Sequence, residues 1–149
     1  MVVNIMNDHL VNMYRNKAQL QKLTFCKIRK IDRFGLWVEV LIRNGKYKVF
    51  LDYQLNGSVS AYLIEPSIDM DDPLEIHTYG MHYHRAYKRE LPMLCLRLPN
   101  KWQWNSSIML IDSYIPWASE WTEFYEIWKM TSKWYGGGEH PEREGRIAN

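Results

Sequence analysis

Leu36-Trp37-Val38-Glu39-Val40-Leu41-Ile42-Arg43-Asn44-Gly45-Lys46-Tyr47-Lys48-Val49-Phe50-Leu51-Asp52-Tyr53 is the stretch on which the fold turns. Leu36, Val38, Val40 and Ile42 alternate with Trp37, Glu39, Leu41 and Arg43, and Tyr47, Val49, Leu51 and Tyr53 alternate with Lys46, Lys48, Phe50 and Asp52. Successive strand residues point to opposite faces, so this period of two predicts two half-buried strands. Asn44-Gly45 between them predicts a type I′ hairpin, because both central residues of that turn need positive φ.

Working outward, Phe25 to Lys30 is a further strand, with Cys26 packing inside it. Asn56-Gly57 is a second turn, and Ser58 to Glu65 follows with Val59, Ala61 and Leu63 on one face. The expectation is a four-stranded antiparallel meander. Ahead of it, residues 3–22 read as a helix capped by Asn7 or Asp8, with Leu10, Val11, Tyr14 and Ala18 near one face. Behind it, periodicity is lost for roughly 25 residues after Glu65-Pro66, unusual in a compact domain unless the loop is functional. That segment holds Asp69, Asp71, Asp72, Pro73, His77, Gly80, His82, His84 and Pro92, and leads to Leu94-Cys95-Leu96. Asn105-Ser106-Ser107 then offers an N-cap for a helix toward Tyr114. Pro116 breaks or restarts it. Trp117, Trp121, Phe124 and Trp128 form an apolar stripe on a last helix, which Gly136-Gly137-Gly138 ends.

With 46% hydrophobic residues in 149, the chain fits one domain with a real core. Residues 1–138 are expected to form it, and 139–149 to be a polar, mobile tail. A net charge of +2 does not by itself indicate nucleic acid. Lys27, Arg29, Lys30 and Arg33 alternate with apolar residues, a solvated strand face first and a polyanion site second. Two cysteines allow at most one disulfide and are read as thiols. The first ten residues lack the pattern of a signal peptide, and no apolar run approaches the roughly 18 residues needed to span a bilayer, so a cytoplasmic protein is expected.

Cys95 is the candidate for chemistry, and its residues alone leave two roles open: a buried packing side chain, or a nucleophile. A nucleophilic thiolate must be accessible and is favoured by cations; Arg85, Lys88, Arg89, Arg97 and Lys101 are near it in sequence. His84 and His82 are candidate bases or orienters, or simply hydrogen-bonded side chains. His77, His82, His84 and Cys95 lack the spacing of a metal site, so no metal and no cofactor are expected. A pairing of Cys95 with His140 is weak, since His140 lies in the polar tail.

The order helix, meander, cysteine segment, helices resembles the ubiquitin-conjugating enzyme fold, an α+β architecture. Three features carry the resemblance: Tyr47-Lys48-Val49-Phe50-Leu51-Asp52-Tyr53 followed by a strand ending at Glu65-Pro66; a histidine, His84, upstream of Leu94-Cys95-Leu96; and Trp102 before a capped helix. Within that fold the chain is similar to the bacterial conjugating-enzyme-like proteins of antiphage cyclic-oligonucleotide signalling (CBASS) operons, through Leu94-Cys95-Leu96 and Trp134-Tyr135-Gly136-Gly137. The short form, without an attached activating domain, is what the resemblance suggests. It implies that Cys95 carries an acyl group as a thioester and passes it to target lysines, the carried protein being the operon's cyclic-nucleotide synthase, a cGAS-like nucleotidyltransferase. A non-catalytic binding partner of that synthase with the same fold is the alternative.

The chain also departs from the family. His84 precedes Cys95 by eleven residues and is followed by Arg85 and Ala86 where the family has proline and asparagine. The oxyanion-stabilising asparagine is therefore missing, and Tyr87 is the nearest candidate donor. Pro92 stands where a glycine-bearing turn is usual.

Overall fold

The computed structural model describes residues 2–68, 76–96 and 105–136, with side chains from residue 8 onward. Helix α1 (Val2–Leu20) leads into strands β1 (Cys26–Asp32), β2 (Gly35–Ile42), β3 (Tyr47–Gln54), β4 (Val59–Glu65), β5 (Thr78–His84) and β6 (Arg89–Leu94). A 3-10 turn (Leu110–Asp112) and helix α2 (Tyr114–Thr131) follow among the described residues. The strands form one antiparallel sheet in the order β1-β2-β3-β4-β6-β5.

The central hairpin is as its alternation requires. Ile42 pairs with Tyr47, Lys46 N–H donates to the Arg43 carbonyl at 3.2 Å, and Asn44 and Gly45 have φ of 56° and 87°. Both carry the positive φ that a type I′ turn needs, and Arg43 ahead of them is also left-handed, at 56°. Leu36, Val38, Val40, Tyr47, Val49, Leu51 and Tyr53 are buried on one face, with Ala61 and Leu63 from β4. Both helices pack on that face, α1 against β1 and β2, α2 against β2 and β3. The opposite face carries a smaller cluster of Phe50, Tyr62, Ile64 and Leu91, partly covered by Ala86 and Tyr87 from the β5–β6 turn.

The described residues form six strands where a four-stranded meander was expected, since part of the segment read as irregular is the β5–β6 hairpin. Thr78-Tyr79-Gly80-Met81-His82-Tyr83-His84 has no apolar alternation, and its register shifts between Thr78 and Met81. Pro92 lies inside β6, a position that argues against a strand when read locally. Asp69, Asp71, Asp72 and Pro73 lie outside the described residues.

The helices need correction too. Among the described side chains of α1, Met13, Asn16 and Leu20 are buried, while Val11 and Tyr14 are exposed, and the helix runs through Asn7 and Asp8, which therefore do not cap it. Asn16 is buried because both ends of its amide are used: Oδ1 accepts from Leu110 N–H at 2.8 Å and Nδ2 donates to the Asn12 carbonyl. No α-helix runs from Ser107 to Tyr114; Asn105 Oδ1 instead accepts from Ser107 N–H in a local turn. Pro116 sits in the first turn of α2, where its missing N–H costs nothing. That helix ends at Thr131, ahead of the glycines, with Ser132 in the left-handed region at φ 60° donating its N–H to the Trp128 carbonyl. Its buried face is Tyr114, Ile115, Ala118, Trp121, Thr122 and Tyr125, so Trp121 is the member of the expected stripe that is fully inside.

Candidate functional site at the open end of the last hairpin

Cys95 follows β6 directly, flanked by Leu94 and Leu96, which both belong to the main core. Its N–H donates to the His77 carbonyl at 3.0 Å, continuing the ladder one pair beyond Thr78 and Leu94. The same carbonyl accepts the Trp121 indole N–H at 3.2 Å, which also reaches the Ile76 carbonyl at 3.0 Å. A carbonyl has two lone pairs, and here two buried donors share them. The His77 ring stacks on Trp134 with centroids 5.2 Å apart and planes 18° from parallel, and Trp134 packs on Trp121 and Phe124.

His77 thus stands beside Cys95 in backbone, buried, with a left-handed φ of 49° that costs a non-glycine residue strain. Sequence reasoning placed His77 only in a rejected metal cluster. Nothing local reveals its position, because the pairing spans eighteen residues and Trp134 comes from the far end of the chain. Cys95 itself is 3% exposed. Cys26, the other thiol, is pushed up to about 11 by burial and is therefore a poor nucleophile near neutrality.

The remaining expected site residues lie elsewhere. His84 pairs with Arg89 at the turn end of the hairpin, whereas Cys95 adjoins the end where Thr78 pairs with Leu94. Six residues at roughly 3.3 Å each separate these ends by about 20 Å. His84 is buried among Trp37, Phe50 and Tyr62, all edge-on to it. Ala86 N–H donates to its Nδ1 at 3.0 Å, so Nε2 carries the proton and donates it to Asp52 Oδ2 at 2.7 Å. The partner Asp52 was missed because it is 32 residues away, on β3. Tyr87 donates its hydroxyl to Glu39, with Arg29 3.4 Å from the same carboxylate and 4.7 Å from the Tyr87 ring. Burial and the Glu39 bond together hold the Tyr87 phenol well above its ordinary value. His82 is exposed on β5, its Nε2 bonded to the Tyr79 carbonyl at 3.0 Å.

None of the three is brought to Cys95. The expected cations Arg97 and Lys101, together with Trp102 and His140, lie outside the described residues. Arg85 sits with His84, not with the thiol. Among the described residues no three His, Cys, Asp or Glu side chains converge as a metal site would require.

Chemically, the open end offers a thiol whose backbone N–H donates to the His77 carbonyl, a carbonyl shared with the Trp121 indole, and an imidazole stacked on Trp134. No helix among the described residues is long and apolar enough to cross a membrane. Comparison with curated proteins finds no match. Residues 14–141 match a family model described as type II CBASS E2 protein.

Proposed function

Because this chain belongs to the type II CBASS E2 family, we propose that it is a cytoplasmic transferase of antiphage defence, using Cys95 to carry the C-terminal acyl group of a cyclic-nucleotide synthase. The Cys95 thiolate attacks an activated carbonyl, a C–S bond forms, and the activating group leaves. An amine of a target lysine then attacks the thioester, a C–N bond forms, the C–S bond breaks, and the thiol is regenerated. The synthase and the lysine-bearing target are its partners, and the domain doing this spans residues 1–138.

The observation that carries the reading is the place of Leu94-Cys95-Leu96 in a chain of this family: at the exit of the last strand, backbone-paired to His77. His84 and Tyr87 take no part in this version. Their bonds to Asp52 and Glu39, at the turn end of the hairpin, support a part in the fold instead.

Burial of Cys95 favours one rival, a binding partner of the synthase without chemistry, since reactive cysteines are partly exposed. The test is a denaturing gel of the chain incubated with the synthase and its activating components. Wild type is expected to form a conjugate and a thiol-labile adduct, and Cys95→Ser to trap a thiol-resistant ester. If Cys95→Ala forms the same conjugates as wild type, the acyl-transfer reading is lost; if wild type binds the synthase with no adduct of any kind, the binding reading replaces it.

A further inference from the structure

We infer that a cleft at the turn end of the sheet binds an anion carrying a flat ring, the chemistry of a nucleoside monophosphate, either free or as the end of a nucleic acid strand. The cleft measures about 820 Å³, within the roughly 300–1,000 Å³ of small-molecule sites. Three turns meet around it, with Phe34 from β1–β2, Asn56 from β3–β4 and Arg85 from β5–β6, over the ring of Trp37.

The cations in and beside it sit over rings, and one of them also pairs with a carboxylate. Lys30 Nζ lies 4.3 Å and the Arg85 guanidinium 5.2 Å from the Trp37 ring centroid, and Arg33 lies 4.9 Å from that of Phe34. Lys30 also reaches Asp32 at 3.4 Å. Arg85 has no carboxylate partner among the described residues, so its charge is available to a ligand. Among the residues that line the cleft, Lys30 and Arg85 against Asp52 leave it net positive. Phe34 and Tyr83 are 63% and 64% exposed on the rim, offering ring surface that water solvates poorly and a base would cover.

Polar side chains line the same cleft. Asp52 Oδ2 accepts from His84 Nε2, and Asp52 also lines the cleft. Asn56 Oδ1 and Gln54 Oε1 both accept from Ser58, which orients the amide NH₂ groups of both residues as donors. A plain anion would leave the aromatic rim and Asp52 unused. An uncharged ring would leave Arg85 unused. A phosphorylated nucleoside uses all of them.

The experiment is calorimetric titration of AMP into the full-length protein at low salt, with adenosine, inorganic phosphate and a 5′-phosphorylated oligonucleotide as parallel ligands. Saturable AMP binding is expected, at least about tenfold tighter than either adenosine or phosphate, and weakened about tenfold or more by Arg85→Ala and by Phe34→Ala. Both side chains are exposed, and an unchanged urea midpoint shows that the variants fold. Raising the salt should weaken binding, as screening of exposed cations requires. Equal or tighter binding of the oligonucleotide identifies a strand end as the source, and weaker binding identifies the free nucleotide. Absence of saturation at millimolar AMP, phosphate binding as tight as AMP, or affinity unchanged in both variants overturns the proposal. Cys95→Ala should bind AMP like wild type, so this result stands or falls separately from the acyl-transfer reading.

Discussion

The two ends of the β5–β6 hairpin each carry a buried histidine, and the two are used in opposite ways. At the turn end, His84 has both ring nitrogens committed, one to Asp52 and the other to a backbone N–H, inside a cage of three aromatic rings. At the open end, His77 contributes its carbonyl to Cys95 and Trp121 and lays its ring on Trp134. The lesson is that nearness in sequence to Cys95 is a poor guide to what stands beside it. The histidine eleven residues away is bonded to Asp52, and the one eighteen residues away pairs with Cys95 through its backbone.

The largest expected effect that separates the ends is kinetic. Cys95→Ala should lower conjugation by more than about 100-fold, the scale of losing a nucleophile, while His84→Asn leaves the rate per folded molecule within about threefold. A quantitative single-turnover gel assay decides it; equal losses in both variants would join the two ends into one site.

Next in size is a stability effect confined to the turn end. Asp52→Ala leaves the buried His84 N–H without its acceptor, which should cost about 1–3 kcal/mol, read as a lower urea midpoint. A midpoint unchanged from wild type would show that the dyad does not hold this end.

A smaller effect belongs to the open end. Trp134→Ala removes the stack on His77, a loss of about 0.5–1.5 kcal/mol beyond buried area, and should speed alkylation of Cys95. Cys26 provides the internal reference at pH 8, because its thiol titrates near 11 and reacts slowly there. Mass spectrometry of the labelled peptides reports both cysteines at once. Faster labelling of Cys26 alone would break the link between Trp134 and the site.

The smallest effect lies away from both ends. Hydrogen bonds from Lys46 and Tyr47 hold the Glu126 carboxyl at about 2, below its ordinary 4.5. A folded-state value below the unfolded one contributes stability above pH 4.5 that is lost as the pH falls toward 2. Glu126→Gln should flatten that part of the acid-denaturation curve slightly, since the carboxylate is partly exposed and screened. A curve identical to wild type would mean the pair adds nothing.

Local sequence was sufficient for the β2–β3 hairpin, the β4 strand, the position of Cys95 and, through resemblance, the family. Period-two burial and Asn-Gly turns are properties of a few adjacent residues, and Leu94-Cys95-Leu96 is a contiguous motif. Local reading failed where partners decide. A bulged, histidine-rich β5 and a proline-bearing β6 are strands because they pair with each other and β6 touches β4 at Tyr62 and Met93. The buried stripe of α1 shifted to Met13, Asn16 and Leu20 for the same kind of reason, since Asn16 is inside only because Leu110 is there to meet it. Sequence by itself determined that a thiol sits at the end of a β-rich scaffold of this family, because chain order and short-range pattern encode that much. Which histidine stands near that thiol, and which is locked to Asp52, was decided only by tertiary structure, because hydrogen bonds and ring stacks join residues that the chain keeps far apart.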